Sequence, residues 1–242
     1  MEENKKSGAA VQAAQENPAA AEKAPAKKTE DNHKYGFSFL YWLLIRVYWL
    51  LVKLLYGMRI EGKENIPQEG SIILMGNHQF DFDPVTLAIC DMRRQYHFMG
   101  KKELWENKLV AWLWNEVHGF PVDRGNYDMG AIRMAMNILK SGASLGIFPE
   151  GTRHKGPQMI QLLSGASMLA LRSKCPVVPI YIDGDYRPFK KMVVRVGKPV
   201  DMEDLCSGRV TKDACDALTA RIEQRFYELS GGKSRPAAIE TK

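Results

Sequence analysis

The chain changes character at Tyr35. From Tyr35 to Gly57 it reads YGFSFLYWLLIRVYWLLVKLLYG, apolar or aromatic almost throughout and broken by Arg46 and Lys53. The pattern predicts a helix. The two cations are seven residues apart and share one face. Trp42 and Trp49 share another, and Tyr35 and Tyr56 continue that stripe at the same spacing. A spanning helix needs about twenty apolar residues, and each charge would cost roughly 2.5–3.5 kcal/mol at the bilayer centre. Aromatic stripes beside long cations suit a helix lying in the headgroup region. A buried amphipathic helix and a tilted single span are the alternatives.

From about residue 58 the pattern alternates between strand and helix. Ser71–Met75 is a short apolar run ending in Gly76-Asn77, which predicts a buried strand. A helix follows from Pro84 to Cys90, with Asp83 as its N-cap and Pro84 at its first position. Lys102 to Val117 reads as one amphipathic helix carrying Trp105, Leu109, Trp112 and Leu113 on a face. Asp128 opens another helix, which Gly142 ends. Ser144–Phe148, Val177–Ile182 and Val193–Val196 read as strands, and the last helix runs from about Thr211 to Ser230. This alternation predicts a layered α/β domain over 58–230, its mostly buried mixed sheet flanked by helices. The membrane-associated helix over 35–57 precedes it, and residues 231–242 form a loose tail.

Composition bounds the picture further. The 242 residues are 45% hydrophobic and 26% charged, ordinary for a folded chain. Residues 1–34 hold only Met1 and Val11 as larger apolar side chains, so that stretch reads as a disordered tail. Its six lysines are cancelled by five glutamates and Asp31, which leaves the net charge of +6 to the part that folds. The four cysteines form no C-x-x-C pair, which argues against a zinc ribbon or thioredoxin-type site. A G-x-S-x-G elbow, a P-loop and a G-x-G-x-x-G turn are all missing. The five histidines lack metal-site spacing, and the basic residues are not interleaved with stacking aromatics as in a nucleic-acid module. Neither a metal nor a nucleic acid is therefore expected.

Candidate chemistry starts at Asn77-His-Gln-Phe-Asp-Phe-Asp83. His78 lies just past a strand and Asp83 at the start of the next helix, so the loop can fold back and let the carboxylate accept the imidazole Nδ1–H. That fixes the tautomer and leaves Nε2 as a base. Alone, the spacing is weak evidence, and a structural loop histidine is the better reading of it; Asp81 is a second possible partner, aimed elsewhere. Gly119–Arg124 and Phe148–Arg153 each end in an arginine at a strand end or loop, a residue suited to clamping phosphate, though for either one alone a surface ion pair is the better reading. Glu150 can orient an arginine or substrate hydroxyls. Val178-Pro-Ile-Tyr-Ile182 reads, alone, as a strand with an early proline.

Together, Asn77–Asp83, Gly119–Arg124, Phe148–Arg153 and Val178–Ile180, in this order, resemble the four signature blocks of the glycerolipid acyltransferases, in particular the 1-acylglycerol-3-phosphate (lysophosphatidic acid) acyltransferase family. The first block has the H-x-x-x-x-D form, and FPEGTR is the most specific. The likeness covers about Gly57 to Gly184, and Lys101-Lys102-Glu103-Leu104 is similar to the family's lysine-containing segment. Two departures stand out. His154 occupies the place where members often carry Ser, and Leu162-Leu-Ser-Gly-Ala166 lacks the lysine they tend to have before Gly-Ala.

The resemblance implies transfer of a fatty acyl group from a thioester donor, acyl-CoA or acyl-acyl carrier protein, to the sn-2 hydroxyl of lysophosphatidic acid, with no cofactor. His78 would act as general base and Asp83 would orient it. Arg124 and Arg153 would hold the acceptor phosphate, with Glu150, Gly151, Thr152, Lys101 and Pro179 as further substrate-binding positions. The implied setting is a phospholipid surface, at the cytoplasmic face of the cell membrane. Another lysophospholipid or a glycolipid as acceptor, or a non-catalytic lipid-binding relative, are the competing readings.

Overall fold

The computed structural model describes residues 38–123, 128–154, 156, 161–184, 186–187 and 189–234. Helix α1 spans Phe39–Tyr56. The Ser38 side chain caps it by accepting the Tyr41 N–H, and Gly57 ends it with φ 52°. Strands β1 (Arg59–Glu61) and β2 (Ile73–Gly76) lead to α2 (Asp83–Cys90) and then β3 (Tyr96–Lys101). Helix α3 (Lys108–Glu116) precedes β4 (Gly119–Val122), and α4 (Met129–Lys140) precedes β5 (Ser144–Ile147). Helix α5 (Ser164–Ser173), β6 (Val177–Asp183), β7 (Val193–Val196) and α6 (Lys212–Leu229) complete the chain.

The seven strands lie in the order β1-β7-β6-β2-β5-β3-β4. Five of them, β6, β2, β5, β3 and β4, run parallel, and β7 pairs antiparallel with β6. The sheet is mixed, as the alternation predicted. Side chains alternate between its faces. Ile73 and Met75 join a core with α4, α5 and α6, whereas Ile72 and Leu74 face α1 and α2.

Helix α1 shares that second core. Tyr41, Ile45 and Val52 are buried in it, and the Tyr41 hydroxyl accepts the Tyr96 N–H at 3.0 Å. Phe39, Leu43, Val47, Leu50, Leu51 and Leu54 remain exposed on the rest of the helix. By length and composition α1 is the one helix among the described residues able to cross a membrane. Arg46 lies 4.0 Å above the Trp42 ring and Lys53 4.9 Å from that of Trp49, so the cation and tryptophan stripes are neighbours. Tyr35 lies outside the described residues.

The helix expected over 102–117 is divided. Lys102–Trp105 forms a 3₁₀ turn, and the Asn107 side chain then accepts the N–H groups of Leu109 and Val110 to start α3 afresh. Leu109, Trp112 and Leu113 are exposed rather than core. Asp128 and Thr211 stand where the two helices were expected to begin and cap α4 and α6, accepting from Ala131 and Ala214.

Candidate active site

Strands β2, β5, β3 and β4 end at one edge of the sheet, and each carries one of the quoted segments. The loop after β2 is fixed first. Asn77 is buried and mimics a further strand residue against β6. Its Oδ1 accepts the Ile182 N–H at 2.7 Å, and its Nδ2 donates to the Ile182 carbonyl at 3.1 Å. Gln79 donates to that carbonyl as well, at 3.1 Å.

His78 Nδ1 then lies 2.9 Å from Oδ2 of Asp83, a carboxylate with no exposed surface. The same oxygen accepts the backbone N–H groups of Gln79 at 2.5 Å and Phe80 at 2.7 Å. Those amides can only donate, so Oδ2 is an acceptor. In neutral His78, Nδ1 carries the proton, and Nε2 is left as the basic nitrogen. This corrects one expectation: Asp83 does not cap α2. The N-cap is Phe82, without a side-chain bond, because the Asp83 carboxylate turns back onto its own loop.

The β5 loop pins His78 from the other side. Buried Glu150 accepts the His78 N–H on Oε1 at 2.9 Å, and the His78 carbonyl accepts the His154 N–H at 2.8 Å. The Phe148 ring stacks on the imidazole, centroids 4.1 Å apart and 20° from parallel. Glu150 thus ties two loops together. Gly151 has φ 67°, and a Cβ there would stand 2.5 Å from Leu163 Cδ1, so the turn needs glycine. Thr152 is exposed beside it.

Arg153 is exposed and forms an ion pair with Asp81 of the His78 loop. Asp81, the second possible partner of His78, is engaged there. Lys101 ends β3 at the same edge, its Nζ 3.9 Å from Glu103. Arg124, two residues beyond the end of β4, lies outside the described residues. Pro179 is buried within β6, where its side chain meets Gly197 close to Leu229. Among the described residues no group of three or more His, Cys, Asp or Glu could hold a metal ion.

Sequence reasoning missed Tyr186. Its hydroxyl donates to Asp83 Oδ1 at 2.8 Å, so the carboxylate accepts from four donors. A lone tyrosine 103 residues from Asp83 gives no sequence signal for that contact.

The site is thus a histidine held by a buried carboxylate at the strand ends of a mixed α/β sheet. The Acyltransferase family model matches residues 57–183. A 1-acyl-sn-glycerol-3-phosphate acyltransferase of Bacillus subtilis is 32% identical over 185 residues, which cover 74% of this chain and 92% of that relative. One from Streptococcus pneumoniae is 28% identical over 211 residues, 84% of this chain and 76% of its own. The solved structure of the LPA acyltransferase PlsC from Thermotoga maritima shares the fold, with a TM-score of 0.59 at 22% identity over 78% of each chain. The chain belongs to the 1-acylglycerol-3-phosphate acyltransferase family and is an acyltransferase.

Proposed function

We propose that the chain moves a fatty acyl group from acyl-CoA or acyl-acyl carrier protein to the sn-2 hydroxyl of lysophosphatidic acid, giving phosphatidic acid. The carrying observation is the His78 Nδ1–Asp83 Oδ2 contact of 2.9 Å, with two backbone amides on the same oxygen. His78 Nε2 takes the proton of the acceptor hydroxyl as its oxygen attacks the thioester carbonyl carbon. The tetrahedral oxyanion collapses, the C–S bond breaks, and the imidazolium returns its proton to the departing thiolate. The products are an ester and a thiol, and the base is regenerated. General-base assistance of this kind is worth about 10²–10⁴-fold.

Arg153 holds the acceptor phosphate. Its pairing with Asp81 is an exposed one, which contributes little and exchanges readily for an anionic ligand. Arg124 supplies a second guanidinium, and Lys101, Thr152, Gly151 and Pro179 belong to the surroundings of the substrate. The exposed side of α1 sets the domain on the cytoplasmic face of a phospholipid membrane. Its packed face favours lying in the headgroup layer over crossing, since a crossing helix would abandon the Tyr41–Tyr96 bond and the buried Ile45 and Val52.

Incubation with lysophosphatidic acid and acyl-CoA in detergent, followed by product identification, tests the reaction. Purified His78→Ala should lose about 10²–10⁴-fold in kcat while melting near the parent temperature; undiminished turnover would remove His78 as the base. Arg153→Ala should raise the acceptor KM more than it lowers kcat, and an unchanged acceptor saturation curve would remove the phosphate clamp.

A further inference from the structure

Tyr186 has no part in the reaction above, yet it ends a line of hydroxyls that starts on α1. Tyr48 Oη on α1 lies 2.9 Å from Thr86 Oγ1 on α2, and Thr86 Oγ1 lies 2.7 Å from Tyr186 Oη. Tyr186 reaches Asp83 Oδ1 at 2.8 Å. Proton counting fixes the direction of each bond, because a hydroxyl has one proton to give. Asp83 is an acceptor, so Tyr186 donates to it. Tyr186 must then accept from Thr86, and Thr86 from Tyr48. The result is a one-way chain of donors, each polarising the next, that ends on the carboxylate orienting His78. Burial pushes the Tyr48 phenol up to about 12 and, with the Asp83 charge, Tyr186 well above the usual range, so both remain donors at neutral pH.

The loop bearing Tyr186 is fastened to the same helix. The Leu55 carbonyl accepts the Phe189 N–H at 2.8 Å, and the Tyr56 carbonyl accepts the Met192 N–H at 3.3 Å. The Tyr186 ring is held edge-on by Tyr56 at 6.1 Å and by Phe80 at 4.9 Å. Its hydroxyl therefore has little freedom to leave Asp83.

We propose that Tyr186 is a positioning residue for the Asp83–His78 pair, holding the carboxylate from α1 through Thr86 and Tyr48. The inference rests on His78 acting as base with Asp83 orienting it. The seating of α1 is then felt at the catalytic carboxylate, and the helix that meets the membrane is also part of the active-site frame.

The test compares full-length wild type, His78→Ala, Tyr186→Phe and Thr86→Val in detergent micelles with acyl-CoA and lysophosphatidic acid. Tyr186→Phe should lower kcat about tenfold and leave the acceptor KM within about twofold, the loss of one hydrogen bond to a charged group. The acid limb of its kcat–pH profile should move to higher pH, because a carboxylate short of one donor holds the imidazolium more tightly. Glu150, on the His78 N–H, and the Asp81–Arg153 pair face the same loop and are unchanged in both variants. Thr86→Val, which keeps the Tyr186–Asp83 bond but removes its donor, should cost about threefold in kcat. It carries the decision alone if Tyr186→Phe does not fold.

Wild-type kcat and an unmoved acid limb in Tyr186→Phe, or in Thr86→Val if that variant stands alone, would overturn the inference. So would losses that appear only as lowered melting temperature. An active His78→Ala would instead overturn the base assignment beneath it, so the two failures are distinguishable.

Discussion

Asp83→Asn separates two roles that a carboxylate beside a histidine can play, tautomer control and charge. Asp83 Oδ2 faces three donors: His78 Nδ1 at 2.9 Å, Gln79 N at 2.5 Å and Phe80 N at 2.7 Å. In the variant, the amide oxygen must take that position. Placing the NH₂ there would leave two partly buried backbone N–H groups unpaired, at up to about 1–3 kcal/mol each. The NH₂ then faces Tyr186, whose hydroxyl can turn to accept from it and donate to Thr86. His78 keeps its proton on Nδ1, so the base survives and only the charge opposite the imidazolium is lost. Exchanging a charged hydrogen-bond partner for a neutral one costs about 2–3 kcal/mol, roughly 30- to 150-fold in kcat. Tautomer inversion in a serine-protease triad costs about 10⁴-fold by comparison. Steady-state release of coenzyme A thiol, measured with lysophosphatidic acid in micelles and alongside thermal melting, reads the difference. A folded variant down by 10⁴-fold would refute the argument that the loop amides hold the amide oxygen in place. A loss under about threefold would mean that the carboxylate does not face developing charge.

Three further outcomes are expected. Glu150→Ala leaves the His78 N–H without its acceptor and should destabilise the fold by about 1–3 kcal/mol in denaturant titration, with Glu150→Gln restoring most of it. Asp91 is buried, which by itself raises its pKa, but bonds from Arg93, Arg94 and Tyr96 outweigh burial and hold the carboxyl below the ordinary value of 3.8. Its stabilising contribution is complete above that pH and fades as pH falls through the lower native value, so Asp91→Asn should flatten the acid side of the stability–pH curve. Replacing exposed Leu50 on α1 by Asp should weaken binding to anionic phospholipid vesicles by about 2 kcal/mol, roughly thirtyfold in a sedimentation assay, without changing the melting temperature.

What could be read from the sequence was what the chain decides locally. His78 and Asp83 are joined by a short loop between a strand and a proline-led helix, so their meeting follows from spacing. The caps at Asp128 and Thr211 are local in the same sense. The Asp83 cap does not form because two loop amides take its carboxylate instead. The bounds of α5 were not legible because its Gly and Ser residues are poor helix formers, and burial of Ser167, Leu169, Ala170 and Leu171 overrides that propensity. The break before α3 turns on Asn107, whose amide closes a new first turn inside an otherwise continuous apolar stripe. Tyr186 and Glu150 reach the pair across 103 and 72 residues. Periodicity has nothing to say about such contacts.

The sheet order explains why those distant residues converge. Strands β2 and β5 are neighbours, but the chain leaving β2 passes into α2 on one face, and the chain leaving β5 passes into α5 on the other. The connections diverge at the strand ends, the place where α/β sheets bind ligands. His78 lies on the loop after β2 and Phe148–Arg153 on the loop after β5, and the Glu150–His78 and His154–His78 bonds tie the two loops together. Closing the arc back from Asp83 also requires α2 to lie hard against β2. Gly76 permits this, since a Cβ there would stand 2.7 Å from Leu87 Cδ1. The step from each strand end to the site is short: His78 lies two residues past the end of β2, and Phe148 directly follows β5.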